Sequence, residues 1–260
     1  MFFPLRDDNP TLSASVVTLA LIGANVASWA LLQGLGFDAR TLAISVCEHG
    51  AIPGELLGRV MPGTAVPMGD DLNCVIEDHA RWSTVLTSMF MHAGWLHLIG
   101  NMWFLWVFGD NVEDAMGHAR FLAFYLLCGL AAFIAQAASD PASAVPMVGA
   151  SGAIGGVLGA YARLYPRARV HMIAVWLIFV QRMVVPALLV LGLWFLLQIV
   201  SGLPTLGATG SGGVAFWAHA GGFLAGVVAI PFFTSRDRVQ MHRARHRAEV
   251  HTRDDGPFGL

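Results

Sequence analysis

Within its apolar stretches the chain carries four polar side chains whose types and positions could do chemistry. Ser151 sits in "VGASGAIGGVLGAY", residues 148–161, with no charged residue in that stretch. His219 sits in "AHAGGFLAG", and His97 and Asn101 sit in "MFMHAGWLHLIGNM". Serine is a poor nucleophile until a base takes its proton. A neutral imidazole within about 3 Å can do so near neutral pH. The pairing of Ser151 with His219 would supply both parts. His97 and Asn101 are four residues apart and share one helix face, so they can offer donors to a common point. No acid lies nearby in sequence to orient His219, which predicts a dyad and not the three-residue arrangement.

Such residues must be held by something, and the composition says what. The chain has 260 residues, is 56% hydrophobic and 12% charged. A soluble domain carries about twice that charged fraction. The mean hydropathy of +0.62 points to a polytopic membrane protein of all-α class. All fifteen basic residues are arginine, and the basic tail has no interleaved aromatics, so no nucleic-acid partner is expected. Polar side chains inside a bilayer are costly, which makes each of the four a functional candidate.

A bilayer core about 30 Å thick takes about 20 apolar residues per helix. Six spans are expected, at roughly residues 14–35, 85–108, 120–138, 151–164, 183–200 and 214–233. The apolar run at about 170–180 is shorter, is flanked by basic residues, and is read as an interfacial segment. Residues 1–13 and the basic tail, 234–260, flank this 14–233 membrane domain. Six spans put both termini on one side, with Arg6, Arg120, Arg163, Arg167, Arg169, Arg182 and six tail arginines. Arg40, Arg59 and Arg81 fall on the other side. The positive-inside rule then places both termini in the cytoplasm. The long loop at 36–84 would lie outside. It contains Cys47 and Cys74, whose pairing depends on that compartment. Cys128, in an apolar run, is read as a small core residue.

Depth and packing bring the four residues together. The fourth span has about 14 residues, is about 21 Å long, and ends at a Tyr165-Pro166-Arg167 marker. Ser151 at its amino end should therefore lie below the outer interface, where irregular backbone must line protein or a water-filled cavity. His219, early in the sixth span, and His97 and Asn101, about a dozen residues into the second, have overlapping depths. Gly152, Gly155, Gly156 and Gly159 face Ala218, Gly222 and Gly226 in small-xxx-small patterns that let two helices approach closely. That approach is what would bring Ser151 to His219. Backbone N–H groups at the amino end of the fourth span could hold an oxyanion.

Two other chemistries are not supported. The elbow G-x-S-x-G fails because Ala153 holds its last position. His92 and His97 are five apart, no H-E-x-x-H is present, and no intramembrane acid completes a metal site, so no metal is expected.

Three segments in order, "MFMHAGWLHLIGNM", "GASGAIGG" and "AHAGGFLAG", resemble the signatures of the rhomboid intramembrane serine proteases in their six-helix bacterial form. The resemblance covers roughly residues 85–233. It implies that Ser151 is the nucleophile, that His219 is the general base, and that His97 and Asn101 stabilise the oxyanion. It places His92, Gly149 and Gly152 near the site. It implies cleavage of other transmembrane proteins in or near their membrane segments, with no metal or organic cofactor. The location it implies is the bacterial cytoplasmic membrane, with the site open to the outer side. The fifth span, carrying Trp194 and Phe195, would move aside for substrate. "FGDNVEDAMG" resembles the family's stretch after the second span, with Glu113 structural. Many members carry Trp-Arg before the second span, whereas this chain has Arg81-Trp82, read as an interfacial anchor pair. The alternative readings are a non-catalytic relative that binds membrane clients, and a small transporter or channel. Retention of both Ser151 and His219 speaks against the first. The clustering of polar groups in one half of the bilayer speaks against the second. No oligomeric state follows from the sequence.

Overall fold

A computed structural model describes residues 2–69, 72–176, 179–206, 213–235, 237–241 and 244. The chain begins with strand β1 (Phe2–Asp7) and helix α1 (Val16–Leu31). Short helices α2 (Ala39–His49) and α3 (Pro53–Leu56) follow, then the hairpin β2 (Ala65–Pro67) and β3 (Asn73–Val75), and helix α4 (Thr84–Thr87). The main helices are α5 (Trp95–Met116), α6 (His118–Ser139) and α7 (Ser151–Leu164). Strands β4 (Arg169–Trp176) and β5 (Phe179–Pro186) precede α8 (Ala187–Gly202) and α9 (Phe216–Phe233).

Among the described residues, three helical stretches are long and apolar enough to cross a membrane: His118–Ser139, Ala187–Thr205 and Phe216–Phe233. Helix Val16–Leu31 is apolar but shorter. Exposed Leu188, Leu189, Leu193, Leu196, Leu197 and Val200 give α8 an apolar outer surface. Exposed Leu96, Ile99, Trp103 and Trp106 do the same for α5. Surfaces of this kind mark a lipid environment.

Helix α7 is the centre of the bundle, with every residue from Gly152 to Ala162 buried. Its four glycines each cost about 1 kcal/mol in helix propensity relative to alanine. Their use is close approach. A Cβ at Gly222 would run into the carbonyl oxygen of Gly152, and one at Gly226 into that of Gly156. A Cβ at Gly155 would lie 2.9 Å from the carbonyl oxygen of His219. The backbones of α7 and α9 are therefore in direct contact, and α6 closes over both, with Cys128 against Gly156 and Ala132 against Gly152. Cys128 is buried and unpaired.

Three expectations about elements need correcting. The second long helix begins at Trp95, not near residue 85, because Ala93 and Gly94 interrupt the apolar run; it continues to Met116. His97 and Asn101 therefore stand in its first two turns rather than a dozen residues in. The stretch expected as an interfacial segment before the fifth span carries β-strand at 170–176: β4 pairs antiparallel with both β1 and β5. The residues at 183–186, expected to open the fifth span, complete β5, and α8 starts at Ala187.

The carboxylates of the stretch after α5's apolar part fasten α1. Glu113 accepts from the backbone N–H groups of Val17 (2.8 Å) and Thr18 (2.7 Å) and from the Thr18 hydroxyl (2.7 Å). Asp114 accepts from Leu12 N–H (2.6 Å) and from the backbone N–H and hydroxyl of Ser13. Glu113 thus meets orphan donors at the amino end of α1, while Asp114 holds the residues just before it. In the loop, a Cys47–Cys74 disulfide ties α2 to β3. Arg81 is not a free interfacial anchor. Its guanidinium makes a two-pronged pair with buried Glu55, at 2.9 and 3.1 Å, while Trp82 is 57% exposed. Of the basic tail expected at 234–260, residues 236, 242–243 and 245–260 lie outside the described residues; residues 237–241 and 244 are helical.

Candidate active site

Ser151 opens α7, preceded by a loop that turns sharply at Gly149, whose φ is +125°. That φ suits glycine, and a side chain there would also meet the imidazole of His97 at 2.7 Å. The Gly149 N–H is spent on the Ser88 carbonyl at 2.8 Å, so it holds the loop and offers no donor to a ligand.

His219 stands in the first turn of α9. Its Nε2 lies 2.7 Å from Ser151 Oγ, across the glycine contact between α7 and α9. Its Nδ1 lies 2.8 Å from Gln198 Oε1 on α8. The Trp194 ring sits beside the imidazole, 5.8 Å between centroids and tilted by 33°. The amino end of α9 is held by Gln136 of α6, whose Oε1 accepts from Ala218 N–H at 3.2 Å.

Ser151, His219, His97 and Asn101 all line one open cavity of about 770 Å³. Gln136, Phe104, Val148 and Trp194 also line it. Asn101 is buried, and its Nδ2 has no hydrogen-bond partner among the described residues. A buried donor left unpaired is costly unless a ligand meets it. His97 Nδ1 accepts from Ala93 N–H at 3.4 Å, an arrangement that leaves Nε2 as the protonated nitrogen. The backbone N–H of Ser151 stands in the first turn of α7, where the helix supplies no acceptor. The cavity can therefore present three kinds of donor beside one serine hydroxyl.

His92 is placed differently. It is fully buried, does not line the cavity, and packs edge-on against His97 with ring centroids 5.1 Å apart. Its backbone is clamped by Gln33, which accepts from His92 N–H at 2.8 Å and donates to the His92 carbonyl at 2.7 Å. Gly152, Gly156, Gly222 and Gly226 lie at the helix contacts and not in the cavity wall.

Sequence reasoning missed three amides: Gln33, Gln136 and Gln198. Gln198 had a readable signal, being the one polar amide in the apolar helix "ALLVLGLWFLLQIVSG".

Fold and site together define an integral membrane protein whose central glycine-packed helix presents a serine to a histidine at a cavity. Residues 79–236 match the rhomboid domain, and the chain belongs to the rhomboid family. It is 32% identical over 172 residues to RHOMBOID-like protein 5 of Arabidopsis thaliana, covering 66% of this chain and 50% of that protein. It is 40% identical over 97 residues to Rhomboid protease GluP of Bacillus subtilis (strain 168), covering 37% of this chain and 18% of that one. Against the human mitochondrial presenilin-associated rhomboid-like protein it is 33% identical over 95 residues, 35% of this chain and 24% of the other. The chain thus spans half or less of the length of these relatives. Some of the relatives are named proteases and others rhomboid-like proteins, and the family includes serine intramembrane proteases.

Proposed function

We propose that this protein is an intramembrane serine endopeptidase working through Ser151 and His219. The observation that carries the reading is the 2.7 Å contact between His219 Nε2 and Ser151 Oγ inside a cavity that also holds the unpartnered Asn101 Nδ2. In this reading Ser151 Oγ attacks the scissile carbonyl as His219 Nε2 takes its proton. The oxyanion is met by Asn101 Nδ2, His97 Nε2 and the N–H of Ser151. Collapse of the tetrahedral intermediate breaks the C–N bond, and His219 returns the proton to the leaving amine. Water, deprotonated by His219, then attacks the acyl carbon; the ester C–O bond breaks and His219 returns the proton to Ser151 Oγ. His92 supports the ring of His97 and takes no part in proton transfer. No residue is assigned to a metal or organic cofactor.

Substrates are transmembrane proteins, which reach the cavity from the lipid side past α8. The six long helices are read as six spans with both termini cytoplasmic. The sheet of β1, β4 and β5 supports this, since it joins the amino-terminal residues to the α7–α8 connection on one face. The disulfide in the 36–84 loop fits an oxidising outer side. The bacterial cytoplasmic membrane is the location this reading favours.

The test is a proteoliposome assay against a panel of tagged single-span membrane proteins, with cuts mapped by mass spectrometry. A cut in or beside a membrane segment, lost in Ser151→Ala, is the expected result. Capture of uncut clients by wild type and Ser151→Ala alike would instead support a client-binding protein.

A further inference from the structure

The polar amide on α8 has no part in a two-residue mechanism, yet it is bonded to the histidine. Gln198 Oε1 lies 2.8 Å from His219 Nδ1, and Gln198 Nε2 lies 3.3 Å from the carbonyl oxygen of Trp194 one turn earlier. This second contact decides which way the amide faces. Turned over, it would set its own oxygen against the Trp194 carbonyl, acceptor against acceptor, and lose that bond. With the amide as it stands, Oε1 can only accept, so Nδ1 of His219 carries the hydrogen. Nε2 is then the bare nitrogen, and it is the one facing Ser151 Oγ. That is the tautomer a general base needs. Trp194, at i−4 on the same face, flanks the ring of the same histidine.

We infer that Gln198 is a positioning residue for His219, occupying the place that an acid holds in three-residue serine hydrolases and fixing the tautomer and tilt of the base. The inference rests on the proposed serine-protease reading. It adds a consequence for α8. That helix buries only Ala187, Leu191 and Gly202, and it turns a leucine-rich surface outward. It packs chiefly on α9, with Phe195 stacked on Phe223 at 4.6 Å between centroids. The acceptor for His219 thus sits on the loosely held helix at the cavity's lipid side. When α8 swings out the base loses its orienting bond, and when α8 is reseated the base is armed again. Substrate entry and proton transfer are coupled through one amide.

The experiment measures labelling of the full chain in detergent by a fluorophosphonate probe, as a function of probe concentration. Wild type is compared with Gln198→Leu, which keeps bulk and removes the acceptor, and with Gln198→Glu, which keeps an acceptor. The expected result is a maximal labelling rate about tenfold lower in Gln198→Leu. The half-saturating probe concentration should not change, and the rate in Gln198→Glu should be restored to within about twofold of wild type. If Gln198→Leu does not yield a folded protein, Gln198→Met is measured with the same expectation. Two outcomes would overturn the inference. One is a wild-type maximal rate in the variant that lacks the acceptor. The other is a Glu variant as slow as the Leu variant, which would mark Gln198 as packing only. An unlabelled but folded wild type would instead strike the protease reading itself.

Discussion

At the residue scale, the account depends on which donors and acceptors are satisfied. Asn101 Nδ2 is the telling case, a buried donor with no protein acceptor among the described residues. If it waits for an oxyanion, Asn101→Ala should lower the maximal cleavage or labelling rate by roughly 100- to 1,000-fold, the range for losing one such donor. Folding should change little, because no intramolecular bond through Nδ2 is lost. A variant with wild-type rates would remove Asn101 from the site. The residue types of the site were legible in the sequence because a serine, two histidines and an asparagine are costly in apolar helices. What the sequence did not reveal were the amides that hold them. Gln33, Gln136 and Gln198 act over separations of 59, 82 and 21 residues, and nothing local to each announces its partner.

At the element scale, the contact of α7 with α9 sets the Ser151–His219 distance. The glycines at 152, 156, 222 and 226 leave no room for a Cβ against the facing backbone or side chains. Gly222→Leu should therefore abolish activity by separating the two helices, while the protein still inserts and the Cys47–Cys74 loop still forms. Full activity in that variant would sink the packing argument. Helix α7 was readable to the residue, since its glycine pattern starts at Ser151 and stops at the Tyr165-Pro166 signal. Helix α5 was misread at both ends. Hydropathy joined residues 85–92 to it across Ala93-Gly94. It also cut the helix short of the polar turn holding Asp110, Glu113 and Asp114, where Glu113 accepts from Val17 and Thr18 of α1 and Asp114 from Leu12 and Ser13 just before it. The strand pair at 169–186 was missed for a different reason. Val170, Met172 and Ala174 are buried in strict alternation, a strand period that an apolar run with basic flanks does not by itself reveal. The partner strand β1 lies at the other end of the chain.

At the scale of the whole molecule, the sheet and the helix bundle are joined at one titratable group. Asp7 of β1 accepts from the Tyr161 hydroxyl of α7 and from Asn111 Nδ2 at 3.3 Å. Burial raises its carboxyl to about 7; the Tyr161 hydroxyl opposes that rise, and nearby Asp110 adds to it. The native state thus holds a proton that the unfolded chain gives up near the usual 3.8. Stability from this group is complete below that value and is lost as pH rises through about 7. Asp7→Asn cannot ionise, so its Tm in detergent should fall less than that of wild type between pH 5 and pH 8. Equal falls would show that Asp7 does not couple the sheet to α7. A mostly helical polytopic membrane fold was legible from composition and span lengths, but the two small sheets depart from the all-α expectation. The 36–84 loop was not legible, because its order comes from the Cys47–Cys74 bridge and the Arg81–Glu55 pair, both long-range choices among several that the sequence allowed. The central claim is that this molecule assembles an activated serine inside the membrane. Its most direct measurement is fluorophosphonate labelling of the reconstituted full chain, with the modified residue located by mass spectrometry. Labelling on Ser151 in wild type, absent in Ser151→Ala and in His219→Ala, is the predicted result. A folded wild type that stays unlabelled, or labelling that persists in His219→Ala at the wild-type rate, would contradict it.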